Sequence, residues 1–289
     1  MKQRSFFRAL ATGAAFMLAA VLAFLWLRAP ETPEQALPEG FDPGQFVAGQ
    51  PKLDAPFVAT DLQVVDAMLG LARVRAGDHV IDLGSGDGRI LIAAARSFGA
   101  GGLGIDIDPA RIRESTANAR AAGVSGRVSF ARGDLFETPL GEADVLTLYL
   151  APDVNLRLRP RILSQMRAGA RVVSHDFDMG EWRPDLRQRV GSATVYLWTV
   201  PARVEGRWIL TEGGRAVTMD LDQQFQNFIG TANEDQRSAR IEQGMLTGAA
   251  IRFIADLGRG RRTFEGRVEG DAIVPTDPRA GWRMTRAPR

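Results

Sequence analysis

Hydrophobic and polar positions change their period along the chain, and the changes mark its elements. Residues 9–27 are nineteen uncharged positions rich in Ala, Leu, Phe and Val, preceded by Lys2, Arg4 and Arg8 and followed by Arg28. As a helix this run would reach about 28 Å, close to the roughly 30 Å of a bilayer's hydrocarbon layer. It ends Leu25-Trp26-Leu27-Arg28-Ala29-Pro30 instead of in a small-x-small cleavage site, so it reads as an uncleaved anchor rather than a cleaved signal. Residues 29–50, with Pro30, Pro33, Pro38 and Pro43 among Glu31, Glu34 and Glu39, read as an extended linker. The spacing of Val64, Val65, Met68, Leu69 and Leu71 predicts an amphipathic helix over 61–72. Short apolar runs then alternate with helical periodicity. Strands are predicted at 79–83, 103–107, 127–130, 144–150 and 170–175, and a helix at 89–98. Another helix starts after Asp108, a capping residue with Pro109 in the first turn, and a helical stretch is interrupted at Pro160. Repeated β–α–β units predict an α/β fold, a parallel sheet covered by helices on both faces.

From about residue 194 the helical pattern stops. Residues 194–200 and 206–211 read as a terminal antiparallel hairpin of the same sheet. Beyond them a weak repeat occurs. Gly244-Met-Leu-Thr-Gly248-Ala-Ala-Ile251 and Gly266-Arg-Val-Glu-Gly270-Asp-Ala-Ile273 share glycine at a turn between apolar positions, a hairpin signal. Residues 213–289 are expected to form a small antiparallel β-meander or partial barrel with Phe225, Phe228, Phe253, Phe264 and Trp282 as its core. The chain thus divides into an anchor (1–28), a linker (29–50), an α/β domain (51–212) and a β-rich C-terminal domain (213–289).

Composition narrows the chemistry. There is no cysteine, which excludes disulfides, zinc knuckles, iron–sulfur clusters and thiol nucleophiles, and two histidines leave little for a histidine-based metal site. Lys+Arg 36 against Asp+Glu 34 gives a net charge of +2, so nothing points to a nucleic-acid partner.

The candidate chemistry sits in Val80-Ile-Asp82-Leu-Gly84-Ser85-Gly86-Asp-Gly88-Arg89, where the first strand passes into a helix. Glycines at such a turn admit a ligand to the backbone, and a helix amino terminus favours negative groups. The spacing is G-x-G-x-G, with Arg89 where a dinucleotide fingerprint requires its third glycine, which counts against a nicotinamide oxidoreductase. Asp106 ends the second strand, twenty-four residues after Asp82, where a carboxylate can bind ribose hydroxyls. Gly133-Asp134-Leu135-Phe136 ends the third and offers an acceptor to an adenine amino group. Three strand ends therefore present acidic residues to one ligand-facing rim.

Asp82-Leu-Gly-Ser-Gly-Asp-Gly88 with Asp106 and Asp134 resembles the motif set of the class I, seven-strand S-adenosylmethionine-dependent methyltransferases. The resemblance implies a Rossmann-like seven-strand sheet ending in an antiparallel hairpin, with S-adenosyl-L-methionine as methyl donor. Asp82, Gly84, Ser85 and Gly86 would then shape the loop around the methionine moiety, Asp106 would bind ribose, and Asp134 with Leu135 would bind adenine. Three further segments extend the match: 56–69 with Thr60, 146–155 with Tyr149 and Asn155, and 171–182 with His175, Asp176 and Asp178. Over residues 52–200 the chain resembles the membrane-associated protein-lysine methyltransferases of the ATP synthase c-subunit and adenine nucleotide translocase and, more distantly, the non-SET histone-lysine methyltransferases. That likeness implies Thr60 closing over the donor, Tyr149 and Asn155 as catalytic residues, and a lysine of a membrane or membrane-proximal protein as acceptor. His175, Asp176 and Asp178 read as an acceptor-channel cluster or a weak metal site lacking a third strong ligand, and no metal is expected. Two other readings stay open: a small-molecule methyltransferase acting on a quinone or lipid precursor, and a non-catalytic membrane-tethered binding factor. Basic residues before the span place the catalytic domain outside by the charge rule, whereas an intracellular methyl donor wants it facing the cytosol, which is the orientation expected here.

Overall fold

A computed structural model describes residues 58–288 apart from 235 and 236. The expected anchor (1–28) and linker (29–50) lie outside the described residues, among which no helix is long and apolar enough to cross a membrane.

Helix α1 (Leu62–Leu71) is capped by Asp61, whose side chain accepts the Gln63 N–H at 2.7 Å. The chain then alternates β1 (His79–Leu83), α2 (Arg89–Phe98), β2 (Gly101–Asp106), α3 (Pro109–Ala121), β3 (Val128–Arg132), β4 (Val145–Leu148), α4 (Pro152–Gln165) and β5 (Arg171–His175). Asp108 caps α3 as its sequence predicts, accepting the Ala110 N–H at 2.7 Å. Pro160 does not interrupt α4. Its ring and Leu156, whose carbonyl loses its helical donor, both face solvent, so water can satisfy the freed group.

The sheet has seven strands in the order β3-β2-β1-β4-β5-β7-β6, completed by β6 (Leu186–Val190) and β7 (Ala193–Thr199). β1 to β5 are parallel, and β7 runs antiparallel to both β5 and β6. The expected terminal hairpin is therefore present, but its strands are β6 and β7. Successive residues of β1 enter opposite cores: Val80 packs with α1 and α2, Ile81 and Leu83 with Val154, Leu158 and Ile162 of α4. Burial on both faces is what makes these strands read as continuous apolar runs.

Residues 206–212, expected as the sheet's last strand, are instead the first stave of a second structure. Strand β8 (Gly206–Glu212) pairs with β9 (Arg215–Gln224) and with β15 (Trp282–Arg286). Between them run β10 (Asn227–Glu234), β11 (Arg237–Thr247), β12 (Ala250–Asp256), β13 (Arg261–Glu269) and β14 (Ala272–Pro275), closing an eight-stranded antiparallel barrel. Closure removes the free edges that a meander would expose. Phe228, Phe253, Phe264 and Trp282 fill its interior with Trp208 and Met219. Phe225 does not. It lies at the β9–β10 turn, stacked on Trp182 of the β5–β6 loop with ring centroids 6.3 Å apart.

Barrel and sheet meet at that turn and at Gly248. The Arg159 guanidinium of α4 lies 5.2 Å from the Phe225 ring, and the Gln226 side chain donates to the Arg183 carbonyl at 2.9 Å. At the other, a Cβ on Gly248 would stand 2.9 Å from the Gly169 Cα, and Gly248 already has φ +57. Only glycine fits so close an approach in that conformation.

Candidate active site

After β1 the chain turns through residues 84–88 into α2. Gly84 has φ +77, and a Cβ there would meet Leu150 Cδ2 at 2.9 Å, so conformation and space both exclude a side chain. The Gly84 and Ser85 N–H groups donate to the Ile105 carbonyl at 2.8 and 2.9 Å, tying the loop to the end of β2. Asp106 strengthens that tie: one carboxylate oxygen accepts the Gly86 N–H and the other the Asp108 N–H, each at 2.9 Å. Asp134 accepts the Phe136 N–H at 2.7 Å and so shapes the turn that carries Leu135. The Ser85 hydroxyl oxygen is buried without a partner among the described residues.

Asp82, Gly84, Ser85, Asp106, Asp134 and Leu135 line one cleft at the carboxyl ends of the strands, joined by Thr60 and Tyr149. Gly86 sets the loop's backbone through its bond to Asp106. Asn155 is outside the cleft lining. It is fully buried on α4, where its amide donates to Ser174 Oγ at 3.3 Å and to the Phe177 carbonyl at 3.2 Å.

The electrostatics of the cleft are unbalanced. Asp82 is 2 % exposed, and the Thr147 hydroxyl donates to its carboxylate at 2.7 Å. Burial drives its pKa up to about 7; the Thr147 bond opposes this, and the like charges of Asp106 and Asp87 add to it. Asp87 behaves oppositely. Burial pushes its pKa up, but hydrogen bonds and charge from Arg89 outweigh that and hold it below the usual carboxylate range. Arg89 contacts both Asp87 oxygens, the closest at 2.6 Å, and donates to the Thr60 carbonyl at 2.7 Å. The residue that breaks a dinucleotide fingerprint is thus a clamp between the glycine loop and the segment before α1. Sequence reasoning missed that role, as it missed Leu150, Ile105 and Ile107, which supply apolar cleft wall. Their signal is adjacency to strand ends already identified.

Beside the cleft, the Tyr149 ring stacks on the His175 imidazole with centroids 3.9 Å apart and planes at 27°. Burial raises the Tyr149 pKa, helped by the Asp176 charge. Burial lowers the His175 pKa against an opposing contribution from Asp176, so the imidazole is neutral at pH 7. His175 Nδ1 lies 3.4 Å from Thr60 Oγ1, and Nε2 lies 3.3 Å from an Asp176 oxygen.

A buried carboxylate with like charges around it fits a cationic ligand, which would restore its anionic form. S-adenosylmethionine carries a sulfonium and an α-ammonium, and the remaining rim carboxylates and apolar wall suit its ribose and adenine. Seven strands in this order, with the glycine loop after β1 and acidic residues ending β1 and β2, define a class I S-adenosylmethionine-dependent methyltransferase.

The family follows from comparison. A family profile described as "ANTKMT methyltransferase domain" matches residues 82–186. A protein-lysine N-methyltransferase of the archaeon Saccharolobus islandicus is 41% identical over 150 residues, covering 50% of this chain and 93% of that protein. The chain belongs to this family of S-adenosylmethionine-dependent protein-lysine methyltransferases. The mouse adenine nucleotide translocase lysine N-methyltransferase is 32% identical, with 54% of this chain and 66% of that protein covered. A solved structure described as an RNA methyltransferase from Salinibacter ruber in complex with S-adenosyl-L-homocysteine is 52% identical with TM-score 0.50, covering 51% of this chain and 96% of that one.

Proposed function

We propose that the enzyme methylates the ε-amino group of a lysine in a membrane or membrane-proximal protein. The observation that carries the reading is the cleft itself, lined by both the glycine loop and Tyr149, whose ring stacks on His175. When bound, S-adenosylmethionine supplies an electrophilic methyl group on a positively charged sulfur. What this chain contributes is position and dryness. Asp82 answers the donor's positive charge, Asp106 and the loop amides fix the glycine turn, and Asp134 with Leu135 holds the far end. Arg89 pins the Thr60 segment across the cleft, which favours Thr60 as its cover. The sheet through β7 acts as the catalytic domain and the barrel that begins at β8 as an accessory domain. The run at 9–27 anchors the protein with its catalytic domain facing the cytosol, where the donor is made.

The likeness to the Salinibacter structure favours RNA as a second acceptor class. One experiment separates the two. Isolated host membranes are incubated with the purified full chain and S-adenosylmethionine carrying a radioactive methyl group. Protease-sensitive, nuclease-resistant label recovered as methyl-lysine after hydrolysis is the expected result. Label removed by nuclease would establish the RNA reading, and label extracted with lipid would establish a small-molecule acceptor.

A further inference from the structure

Lysine is a nucleophile only as the free amine, yet it enters as an ammonium near neutral pH. Something must take its proton. The group best placed to do so is His175, but it is 5 % exposed and does not line the cleft. What lines the cleft in front of it is Thr60, whose hydroxyl lies 3.4 Å from His175 Nδ1.

The backbone behind the imidazole is built to hold this arrangement. Asp176 has φ +60, in the left-handed region that few non-glycine residues adopt. It is held there twice over: its N–H donates to the Thr194 carbonyl at 2.7 Å, and its Oδ1 accepts the Thr194 N–H at 2.7 Å. That leaves Oδ2 facing His175 Nε2 at 3.3 Å. A carboxylate at Nε2 fixes the proton on that nitrogen and turns the lone pair of Nδ1 toward Thr60. The Tyr149 ring, stacked on the imidazole, stabilises any positive charge formed there. Among the described residues, the titratable groups in contact with it are Asp176 and Tyr149, and the segment before α1 brings the uncharged Thr60.

We infer that Thr60, His175 and Asp176 form a proton relay that converts the acceptor's ammonium into a nucleophilic amine. This rests on the lysine reading above. The ammonium N–H bond breaks and its electron pair stays on nitrogen. The proton passes to Thr60 Oγ1 as the threonine's own hydroxyl proton moves to His175 Nδ1. The resulting imidazolium, paired with Asp176, then loses a proton to water past that carboxylate, whose side chain is 37 % exposed. Thr60 is the residue that touches the acceptor; His175 acts through it and Asp176 orients His175.

His79 and His175 are the two histidines of the chain, so imidazole NMR of the full-length protein, with His79→Gln for assignment, follows His175 directly. Lysine labelling rates on the membrane fraction described above are measured across pH alongside it. The wild-type rate should fall as pH drops through the His175 titration. His175→Gln should lower the rate about 10²-fold and remove that limb, while S-adenosylhomocysteine binding by calorimetry stays intact and so reports folding. Thr60→Val should give the same loss with the imidazole still titrating, and Thr60→Ser should restore the rate. Asp176→Asn, tolerated at positive φ, should move the imidazole titration and the rate limb down together. Lysine labelling whose limb ignores the imidazole titration, or that survives in His175→Gln, overturns the relay alone. An Asp176→Asn imidazole shift without any lysine label overturns the lysine reading and the relay with it.

Discussion

The methyltransferase sheet and the barrel spend their charges in opposite ways. At the carboxyl ends of β1 to β3 the acidic residues converge on one cleft, and Asp82 is buried there beside carboxylates of its own sign. On the barrel the acidic residues face outward, and arginines from other strands meet them: Arg207 with Asp220, Arg215 with Glu234, Arg252 with Glu265, Arg261 with Glu242 and Arg262 with Glu212. The first pattern stores unfavourable electrostatics that a cationic ligand relieves. The second pairs these charges with one another in the free protein. With aromatic rings filling its interior, the barrel has the build of a rigid accessory, and it meets the β5–β6 loop and α4 through Phe225, Trp182 and Arg159.

If the two regions are separable in this way, damage to the barrel core should cost stability and spare donor binding. Phe264 is 1 % exposed, stacked on Phe253 at 4.9 Å and edge-on to Trp282 at 5.5 Å. Phe264→Ala should destabilise the barrel by about 3–5 kcal/mol in denaturant unfolding, with S-adenosylhomocysteine affinity unchanged by calorimetry. A parallel loss of affinity would show that the cleft depends on the barrel's packing.

Asp82→Asn should do the reverse. Removing the carboxylate that answers the donor's charge should weaken donor binding about 10²-fold. The same change should stabilise the ligand-free protein, and the sign can be worked out. Asp82 has a folded pKa of about 7 against an ordinary 3.8, so between those values the folded state holds a proton that the unfolded chain has released. Its contribution to stability is complete below about pH 4 and is lost as pH rises toward 7. Thermal melts of the ligand-free wild type should show that decline, while Asp82→Asn should flatten it and lie higher at neutral pH. A variant that melts lower than the wild type at pH 7 would mean that the carboxylate is already paired without a ligand.

What the sequence disclosed follows the same division. The α/β half was legible because its strands are buried on both faces and its loop chemistry is local: β1 at 79–83, α2 at 89–98 and the Asp108 cap fall where periodicity places them. Strand β6 escaped because Leu186–Val190 is a polar edge strand with no apolar alternation. Its absence from the reading passed the hairpin role to 206–211, which pattern alone cannot assign to one sheet or another. In the cleft, Asp82, Asp106 and Asp134 were readable as strand-end carboxylates. The braces were not: Arg89 reaching Thr60, twenty-nine positions away, and Asp176 turning at φ +60 against His175 depend on approaches that no local spacing encodes. Asn155 shows the converse. It was readable as a polar residue after β4, but the helix carries it inward to bind Ser174 and the Phe177 carbonyl.

The smallest expected effect tests the other side of the comparison, that the barrel's charges are ordinary surface pairs. Arg252 and Glu265 stand directly opposite each other in the β12–β13 register, 3.3 Å apart, with about half of each side chain in water. A pair so exposed gains little Coulomb energy and loses side-chain freedom to form, so a double-mutant cycle of Arg252→Ala and Glu265→Ala should return a coupling of about 0.2–1 kcal/mol. Molar salt should erase most of it, since the screening length falls to about 3 Å. Donor affinity should not move in any of the three variants. A coupling of several kcal/mol that survives salt would mean that this ladder is held out of water by something the free chain does not contain, and the barrel would then have to be counted as a binding surface.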